Sequence, residues 1–280
     1  MTKAPDLICM GRAAVDLYGE QVGARLEDVS SFAKYLGGCP ANIAVGAARL
    51  GLKVAMLTRV GDEHNGRFVR ETRATEGVDV SHVKTDPRRL TALVFLSIKD
   101  RDTFPLIFYR HDCADMAIAA ADFDASFIGS AQALLVSGTH LSQPGIAAVC
   151  LGAIRQARRF VFDIDYRPVL WGLTSPGMGE QRFVASRHVT EKLQEVIPLA
   201  HLVIGTEEEF HIAGGCEDTD EALRRLRTIS AATFVVKRGP LGCSVHASGS
   251  LLAGQGFPVE VFNVLGAGDG FAAGFLSGWP

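Results

Sequence analysis

Short apolar runs alternate with amphipathic stretches along most of the chain. The runs are bounded by Gly, Pro or polar residues, as buried strands usually are. The stretches between them place apolar residues three and four positions apart, as amphipathic helices do. The predicted strands are residues 6–10, 54–60, 133–137, 160–164, 201–204 and 233–236. The predicted helices are residues 43–50, 67–77, 144–158, 187–198 and 218–229. This alternation predicts a doubly wound, mostly parallel sheet.

The alternation breaks once, in two β-rich runs at residues 91–98 and 104–109 with no helical stretch between them. This break predicts a separate small sheet, which is a candidate lid. Tyr109 and Arg110 at its end would suit an anionic, hydroxylated ligand. A surface arginine beside a tyrosine at the core edge is the commoner explanation of such a pair.

Length and composition narrow the classes of protein. The 280 residues, 48% of them hydrophobic, suffice for one large α/β domain. A net charge of -3 argues against general binding to nucleic acid or membrane surfaces. No apolar run has the length of a membrane span, the N-terminus lacks the apolar core of a signal peptide, and the six cysteines form no C-x-x-C pair. These features favour a cytoplasmic enzyme with reduced thiols.

The turn Gly266-Ala267-Gly268-Asp269 carries the clearest chemistry. It follows a β-rich run at residues 257–262 and opens an apolar helical segment. The glycines let the backbone approach a ligand, and free N–H groups at a helix start attract anions. With Asp269 as a base for the attacking hydroxyl, these are the parts that a kinase needs. A glycine turn capped by an acid is the alternative explanation. The chain stops soon after this helix begins, so we expect a truncated chain or a piece of a longer one.

Other ligand-suited side chains also follow predicted strands. Asp16 comes shortly after the first strand, and Thr206 starts a helix whose first turn holds three glutamates. Two or more of these glutamates complement the helix dipole, and one is a candidate ligand for hydrated Mg²⁺. The remaining segments are Gly37-Gly38 with Asn42, residues 163–167 with Arg167, and residues 237–242 with Lys237, Gly239 and Gly242. Because the carboxyl ends of parallel strands share one edge of a sheet, we expect these segments to gather into a site.

Two motifs in this order resemble the ribokinase-like (PfkB) family of carbohydrate kinases, over nearly the whole chain. They are Gly37-Gly38-x-x-x-Asn42 and Gly266-Ala267-Gly268-Asp269. The resemblance implies an α/β, ribokinase-like three-layer sandwich with a mostly parallel central sheet and a small β-sheet lid. It implies a single domain over residues 1–280, with lid segments at about 12–36 and 88–112.

The same resemblance implies ATP and Mg²⁺ as co-substrates and assigns roles. Asp269 would be the base, Gly266, Ala267 and Gly268 the anion hole, and Asp16, Gly37, Gly38 and Asn42 ligands of the sugar. The loop with Lys237, Gly239 and Gly242 would bind ATP together with Thr206 and Asn263, and Glu208 would serve the metal. Two positions depart from the family pattern, which has Asn where Gly205 stands and Asp-Thr where Asn263-Val264 stands.

Several stretches are similar to the branch of the family that acts on keto-sugar acids. They are Tyr109-Arg110 and the run from Asp163 to Trp171. The similarity implies that Tyr109, Arg110 and Arg167 bind a sugar acid, with the two arginines on its carboxylate. 2-Keto-3-deoxygluconate kinase, fructokinase and a non-catalytic sugar- or nucleotide-binding regulator remain alternatives. An oxidoreductase is disfavoured because no G-x-G-x-x-G follows the first strand. We also expect a homodimer, formed through the exposed lid sheet.

Overall fold

The computed structural model describes residues 4–100 and 103–279, so residues 101 and 102 of the predicted lid segment lie outside the described residues. The strands are β1 Leu7–Met10, β2 Ala14–Gly19, β3 Phe32–Gly37, β4 Val54–Gly61, β5 Val83–Asp86, β6 Ala92–Leu96, β7 Leu106–Tyr109, β8 Ala133–Ser137, β9 Phe160–Asp163, β10 Leu202–Thr206, β11 Thr233–Lys237, β12 Cys243–Ala247 and β13 Ser250–Gly254. The helices are α1 Cys39–Arg49, α2 His64–Thr75, α3 Ala125–Ser130, α4 Pro144–Ile154, α5 Arg187–Val196, α6 Glu207–Gly214, α7 Thr219–Arg227 and α8 Ala267–Gly278.

The central sheet has nine strands in the order β13-β12-β11-β10-β9-β8-β1-β4-β5. The strands from β11 to β5 are parallel, and β12 and β13 add an antiparallel hairpin at one edge. The inner strands β1 and β8 are buried along their whole length, as their uninterrupted apolar sequences require. The predicted mostly parallel sheet is confirmed.

Helices cover both faces of this sheet, which gives three layers. One core packs α3 to α7 against the sheet through residues such as Phe162 and Phe210. The other core packs α1, α2 and α8 through residues such as Ile43 and Ala273. A Cβ atom placed on Gly46 of α1 would lie 2.7 Å from Cβ of Ala273 in α8, so these two helices pack closely. Their close packing sets the distance between their N-termini.

A small second sheet has the order β3-β2-β6-β7. Strands β2 and β6 are parallel, and the outer pairs are antiparallel. Asp16 lies opposite Val94, which in turn lies opposite Phe108, so these three side chains share one face. The sheet is built from the two chain segments that the sequence predicts for a lid.

One predicted feature near the C-terminus is wrong. Residues 257–262 form no strand, and the ring of Phe257 is 86% exposed. The edge of the sheet is formed instead by the hairpin of β12 and β13. Its sequence mixes polar and apolar residues because this edge of the described sheet is largely exposed, so it lacks the apolar pattern of the buried strands.

Candidate active site

The N-terminus of α8 forms an open anion cradle at the carboxyl edge of the central sheet. Gly266 precedes the helix with φ of 74°, a left-handed conformation that favours glycine. Within the described residues, no side chain caps this helix. By contrast, Glu63, Ser186 and Thr206 each cap the start of another helix. The N–H of Ala267 donates a 3.2 Å hydrogen bond to the carbonyl oxygen of Val264, so among the described first-turn groups those of Gly268 and Asp269 are the ones suited to an anionic ligand.

Asp269 lies in the first turn of α8 and is held by Asn42 in the first turn of α1. The amide Nδ2 of Asn42 donates a hydrogen bond of 2.9 Å to Oδ2 of Asp269. Burial raises the pKa of Asp269, and the negative charge of Asp165 raises it further. Asn42, Lys237 and Arg12 oppose this shift. A carboxyl group with a raised pKa, fixed beside an anion cradle, is suited to accept a proton.

Lys237 brings a positive charge to the same turn. It ends β11, and its Nζ would lie 3.4 Å from a Cβ atom placed on Gly268. The ammonium group is 3.7 Å from Oδ1 of Asp163. Burial acts to lower the pKa of Lys237, but the carboxylates of Asp163 and Glu209 outweigh it and raise this pKa. Lys237 is therefore a permanent cation next to the cradle.

Asp163 ends β9, and Asp165 follows it two residues later. Burial raises the pKa of Asp163 to about 7, and Sγ of Cys39 lies 3.6 Å from its Oδ2. Asp165 has φ of 33°, which is unusual for a residue other than glycine. Burial acts to raise the pKa of Asp165, but Arg167 and Arg12 outweigh it and lower this pKa. Both arginines lie 3.5 Å from the carboxylate.

The glycine pair at the start of α1 is explained by close backbone approaches. A Cβ atom on Gly37 would lie 1.9 Å from Oδ1 of Asp16. Gly38 has φ of 99°, and a Cβ atom there would lie 2.4 Å from the carbonyl oxygen of Arg12. Burial raises the pKa of Asp16 to about 7, against the positive charge of Arg12. The glycines therefore leave room for the carboxylate and bare backbone of a polar pocket.

The structure separates the predicted pair Tyr109 and Arg110 from this pocket. Tyr109 lies on the face of the small sheet opposite to Asp16 and is 57% exposed, while Phe108 occupies the inner face. Arg110 is buried, and its Nε and Nη2 both lie 2.8 Å from Oδ2 of Asp115. Binding of the substrate by Tyr109 stays a prediction, and in this conformation its ring lies on the face of the small sheet away from Asp16.

The other predicted nucleotide ligands lie at loops around the cradle. Thr206 forms a reciprocal capping box with Glu209 at the start of α6. Asn263 accepts a 3.0 Å hydrogen bond from the backbone N–H of Leu265. Gly239 and Gly242 have φ of 54° and 89°, which this tight turn after β11 requires.

Glu208, the predicted metal ligand, is exposed on α6. It lines a surface groove of about 870 Å³ between α5, α6 and α7. In this conformation Glu208 therefore lies at the rim of the site, away from the buried acids at the carboxyl end of β9.

Arg12 and Arg73 also belong to this site, although the sequence gives neither of them a predicted role. Arg12 follows β1 and is 6% exposed, and Arg73 of α2 is fully buried. Arg73 falls on the buried stripe of α2 with Gly66 and Val69, where the pattern expects an apolar residue. A charged residue at an apolar position of the helix pattern is the signal in the sequence that could have identified Arg73.

A family model described as "pfkB family carbohydrate kinase" matches residues 4–280, and the chain belongs to this family. It is therefore a phosphotransferase that uses a hydroxyl group as acceptor. In the described residues, no helix is both long and apolar enough to cross a membrane.

Several curated relatives share one name. The 5-dehydro-2-deoxygluconokinase of Geobacillus kaustophilus (strain HTA426) is 36% identical, with 99% of this chain and 84% of the relative covered. The 5-dehydro-2-deoxygluconokinase of Bacillus subtilis (strain 168) is 32% identical, again with 99% and 84% covered.

Solved structures of the same family superpose well. A PfkB protein from Polaromonas sp. JS666 matches with a TM-score of 0.81 and 29% identity, covering 98% of this chain and 88% of that one. A fructokinase from Vibrio cholerae O395, in a form bound to fructose, ADP and calcium ion, matches with a TM-score of 0.82 and 27% identity, covering 97% and 82%. These matches confirm the ribokinase-like fold.

The acidic residues near the cradle fit a metal ion that binds together with a nucleotide. Among the described residues, no group of three or more His, Cys, Asp or Glu side chains could hold a metal ion alone. Mg²⁺ usually binds through one or two carboxylates together with substrate phosphates and water. An anion cradle with nearby single acids is compatible with that mode.

Proposed function

We propose that this chain is an ATP-dependent kinase that phosphorylates the 6-hydroxyl of 5-dehydro-2-deoxy-D-gluconate, a step of myo-inositol catabolism. The observation that carries the proposal is the position of Asp269, which lies beside an uncapped helix N-terminus and is hydrogen-bonded to Asn42. The names of the relatives that align with nearly the whole chain support the choice of substrate.

Asp269 would take the proton of the attacking hydroxyl as phosphoryl transfer proceeds. The N–H groups of Gly266, Ala267 and Gly268 would stabilise the charge that develops on the moving group. Lys237 beside Gly268 would add a positive charge to the same cradle. When bound, Mg²⁺ would neutralise charge on the ATP phosphates.

The sugar would lie between the small sheet and the start of α1. Asp16 and the bare backbone at Gly37 and Gly38 would bind its hydroxyl groups, and Asn42 would keep Asp269 directed at the reacting one. The small sheet would act as the lid, excluding water and so limiting hydrolysis of ATP.

The nucleotide would be held on the other side of the cradle. Thr206, Asn263 and the turn with Gly239 and Gly242 would bind it there, and Glu208 would reach the metal through water. A homodimer formed through the exposed face of the small sheet is a further part of this proposal. Light scattering after size-exclusion chromatography tests it, and a monomer would remove it.

The deciding experiment measures ATP-dependent phosphorylation of four acceptors in the presence of Mg²⁺. The acceptors are 5-dehydro-2-deoxygluconate, 2-keto-3-deoxygluconate, fructose and ribose. We expect the highest kcat/KM for the first. A preference for 2-keto-3-deoxygluconate or for fructose would support the kinase reaction and contradict the proposed substrate. No transfer to any acceptor, with ATP still bound, would favour a non-catalytic regulator.

A further inference from the structure

Arg12 and Arg110 are both buried and both lie near His140, but they differ in how far their hydrogen bonds are satisfied. Arg110 is already paired, because its Nε donates a 2.8 Å hydrogen bond to the fully buried Asp115. Its Nη2 also lies 3.5 Å from Nε2 of His140. A ligand carboxylate at Arg110 would have to compete with a buried partner that has no access to water. Arg110 is therefore poorly placed to recognise substrate.

Arg12, in contrast, is buried with a hydrogen-bond donor left unsatisfied. Its guanidinium is buried, yet Nε has no hydrogen-bond partner among the described residues. Its Nη2 is 3.5 Å from Oδ2 of Asp165, too long for a strong hydrogen bond. A buried donor without an acceptor is costly, so this group is prepared for an acceptor that arrives from outside the protein.

Arg12 lies beside the proposed sugar pocket, close enough to Asp16 and Asp269 for their charges to raise its pKa. The residue follows β1 at the carboxyl edge of the central sheet, and its carbonyl oxygen lies against Gly38. Its guanidinium lies 5.7 Å from the ring centroid of Phe108, on the same face of the small sheet as Asp16. This distance is within the range of a cation–π contact.

Arg12 is also one of three arginines that lie near Asp165. Asp165 lies between Arg12 and Arg167, each 3.5 Å away, so one carboxylate faces two cations. Arg182 adds a third positive charge next to Arg167, and the repulsion between these two lowers the pKa of Arg182 to about 10. Guanidinium groups bind carboxylates through two parallel hydrogen bonds, a geometry that lysine cannot supply.

We propose that Arg12 is the receptor for the substrate's carboxylate and makes the site selective for sugar acids over neutral sugars. Arg167 assists it from the other side of Asp165. The inference rests on the proposed function, since it identifies which group of the sugar acid is recognised and by which side chain. It replaces Arg110 in that role.

The test compares the wild type with Arg12→Met, Arg12→Lys and the control Arg49→Met. Arg49 is an exposed arginine in the last turn of α1, paired with Glu76 away from the cradle. For Arg12→Met we expect KM for 5-dehydro-2-deoxygluconate to rise about 10- to 100-fold, in line with the loss of a charge-assisted pair, with kcat changed only a few-fold. The KM of Arg12→Lys should lie between those of the wild type and Arg12→Met, and the KM of Arg49→Met should match that of the wild type.

A second measurement separates failure of this inference from failure of the proposed function. Calorimetry with gluconate and with glucitol compares two ligands that differ in having a carboxylate or a hydroxymethyl group. We expect the wild type to prefer gluconate about tenfold or more, and Arg12→Met to lose that preference. Equal affinities in the wild type, or a preference that survives in both Arg12 variants, would overturn the inference even if the kinase reaction is confirmed. If the wild type fails to phosphorylate the acid but shows the Arg12-dependent preference, only the proposed substrate is wrong.

Folding is checked separately, by thermal melting of each variant. If Arg12→Met does not fold, the comparison is made with Arg12→Lys, which keeps the charge and loses the two parallel hydrogen bonds. A KM for the acid that is unchanged in folded Arg12→Lys would then overturn the inference. The same measurements on Arg110→Lys should show lowered melting temperature with unchanged selectivity between gluconate and glucitol.

Discussion

The side-chain amide of Asn42 donates a hydrogen bond of 2.9 Å to the carboxylate of Asp269, although 227 positions separate the two residues. Each residue lies in the first turn of its helix, and the close contact of Gly46 with Ala273 holds those helices together. The apolar packing of α1 against α8 therefore positions a polar pair at the carboxyl edge of the sheet. The chemistry of the site depends on this packing.

Replacing Asp269 with Asn should lower kcat by about 10²- to 10⁴-fold, because an amide cannot accept the proton of the attacking hydroxyl. Binding of ATP and sugar, measured by calorimetry, should change little. Asp220→Asn is the matched control, since it removes an exposed acid from the first turn of α7 and leaves the site intact. Normal turnover by the Asp269 variant would exclude the residue as the base.

Replacing Asn42 with Ala should move the acidic limb of the kcat–pH profile to higher pH. The hydrogen bond from Asn42 lowers the pKa of Asp269 against burial and Asp165, which raise it. Without that bond the carboxyl group stays protonated to a higher pH, and the base is lost earlier as the pH falls. When Asp269 is already replaced by Asn, adding Asn42→Ala should lower kcat little further, as expected for coupled residues. A limb that stays in place would show that Asn42 does not act through Asp269.

Gly37→Ala should damage sugar binding with little effect on ATP binding. The new Cβ atom would lie 1.9 Å from Oδ1 of Asp16, so that the carboxylate must move. A displacement of about 1 Å at such a site lowers kcat/KM by about 10²-fold. Gly152→Ala in α4 is the control, because a Cβ atom there meets nothing within 4 Å and should stabilise the helix by about 0.5–1 kcal/mol. Equal kinetics in the two variants would disprove the steric explanation.

The sequence predicts the parts of the site that depend on local backbone chemistry. Gly37, Gly38 and Gly266 were recognised because tight turns before helices need small residues, and the structure gives the reason in close contacts or positive φ angles. The parallel order of the sheet follows from the alternation of apolar runs and amphipathic helices. These signals lie within a few neighbouring residues.

Features set by register and by distant partners could not be predicted in this way. Side chains alternate between the two faces of a strand, so Phe108 lies on the same face of the small sheet as Asp16, and its neighbour Tyr109 lies on the other face. The partner that satisfies Arg110 is Asp115, which nothing in the local pattern identifies as buried. The hairpin of β12 and β13 was missed because an exposed edge needs no apolar run.

Arg73→Leu in α2 should weaken sugar binding without lowering the stability of the fold. The buried guanidinium donates to the carbonyl oxygens of Gly37 at 3.1 Å and Val69 at 3.2 Å, and no ion pair with it is found among the described residues. Burial disfavours this unpaired charge and lowers the pKa of Arg73 to about 9, and an apolar residue suits this stripe of the helix. The free energy of unfolding in urea should therefore be unchanged or greater in the variant.

Sugar binding by the same variant should weaken, for two reasons. Gly37 loses the donor that fixes its carbonyl group, and Asp16 loses a cation that lowers its pKa, already about 7 because of burial. A further rise keeps Asp16 protonated to a higher pH, so the acid-side increase in sugar KM should move to higher pH. Arg70→Leu on the same helix is the control, because Arg70 donates to Val83 and Thr85 of β5 and should leave sugar KM unchanged. If Arg73→Leu also left the sugar KM and its pH dependence unchanged, Arg73 would have no role in positioning the sugar site.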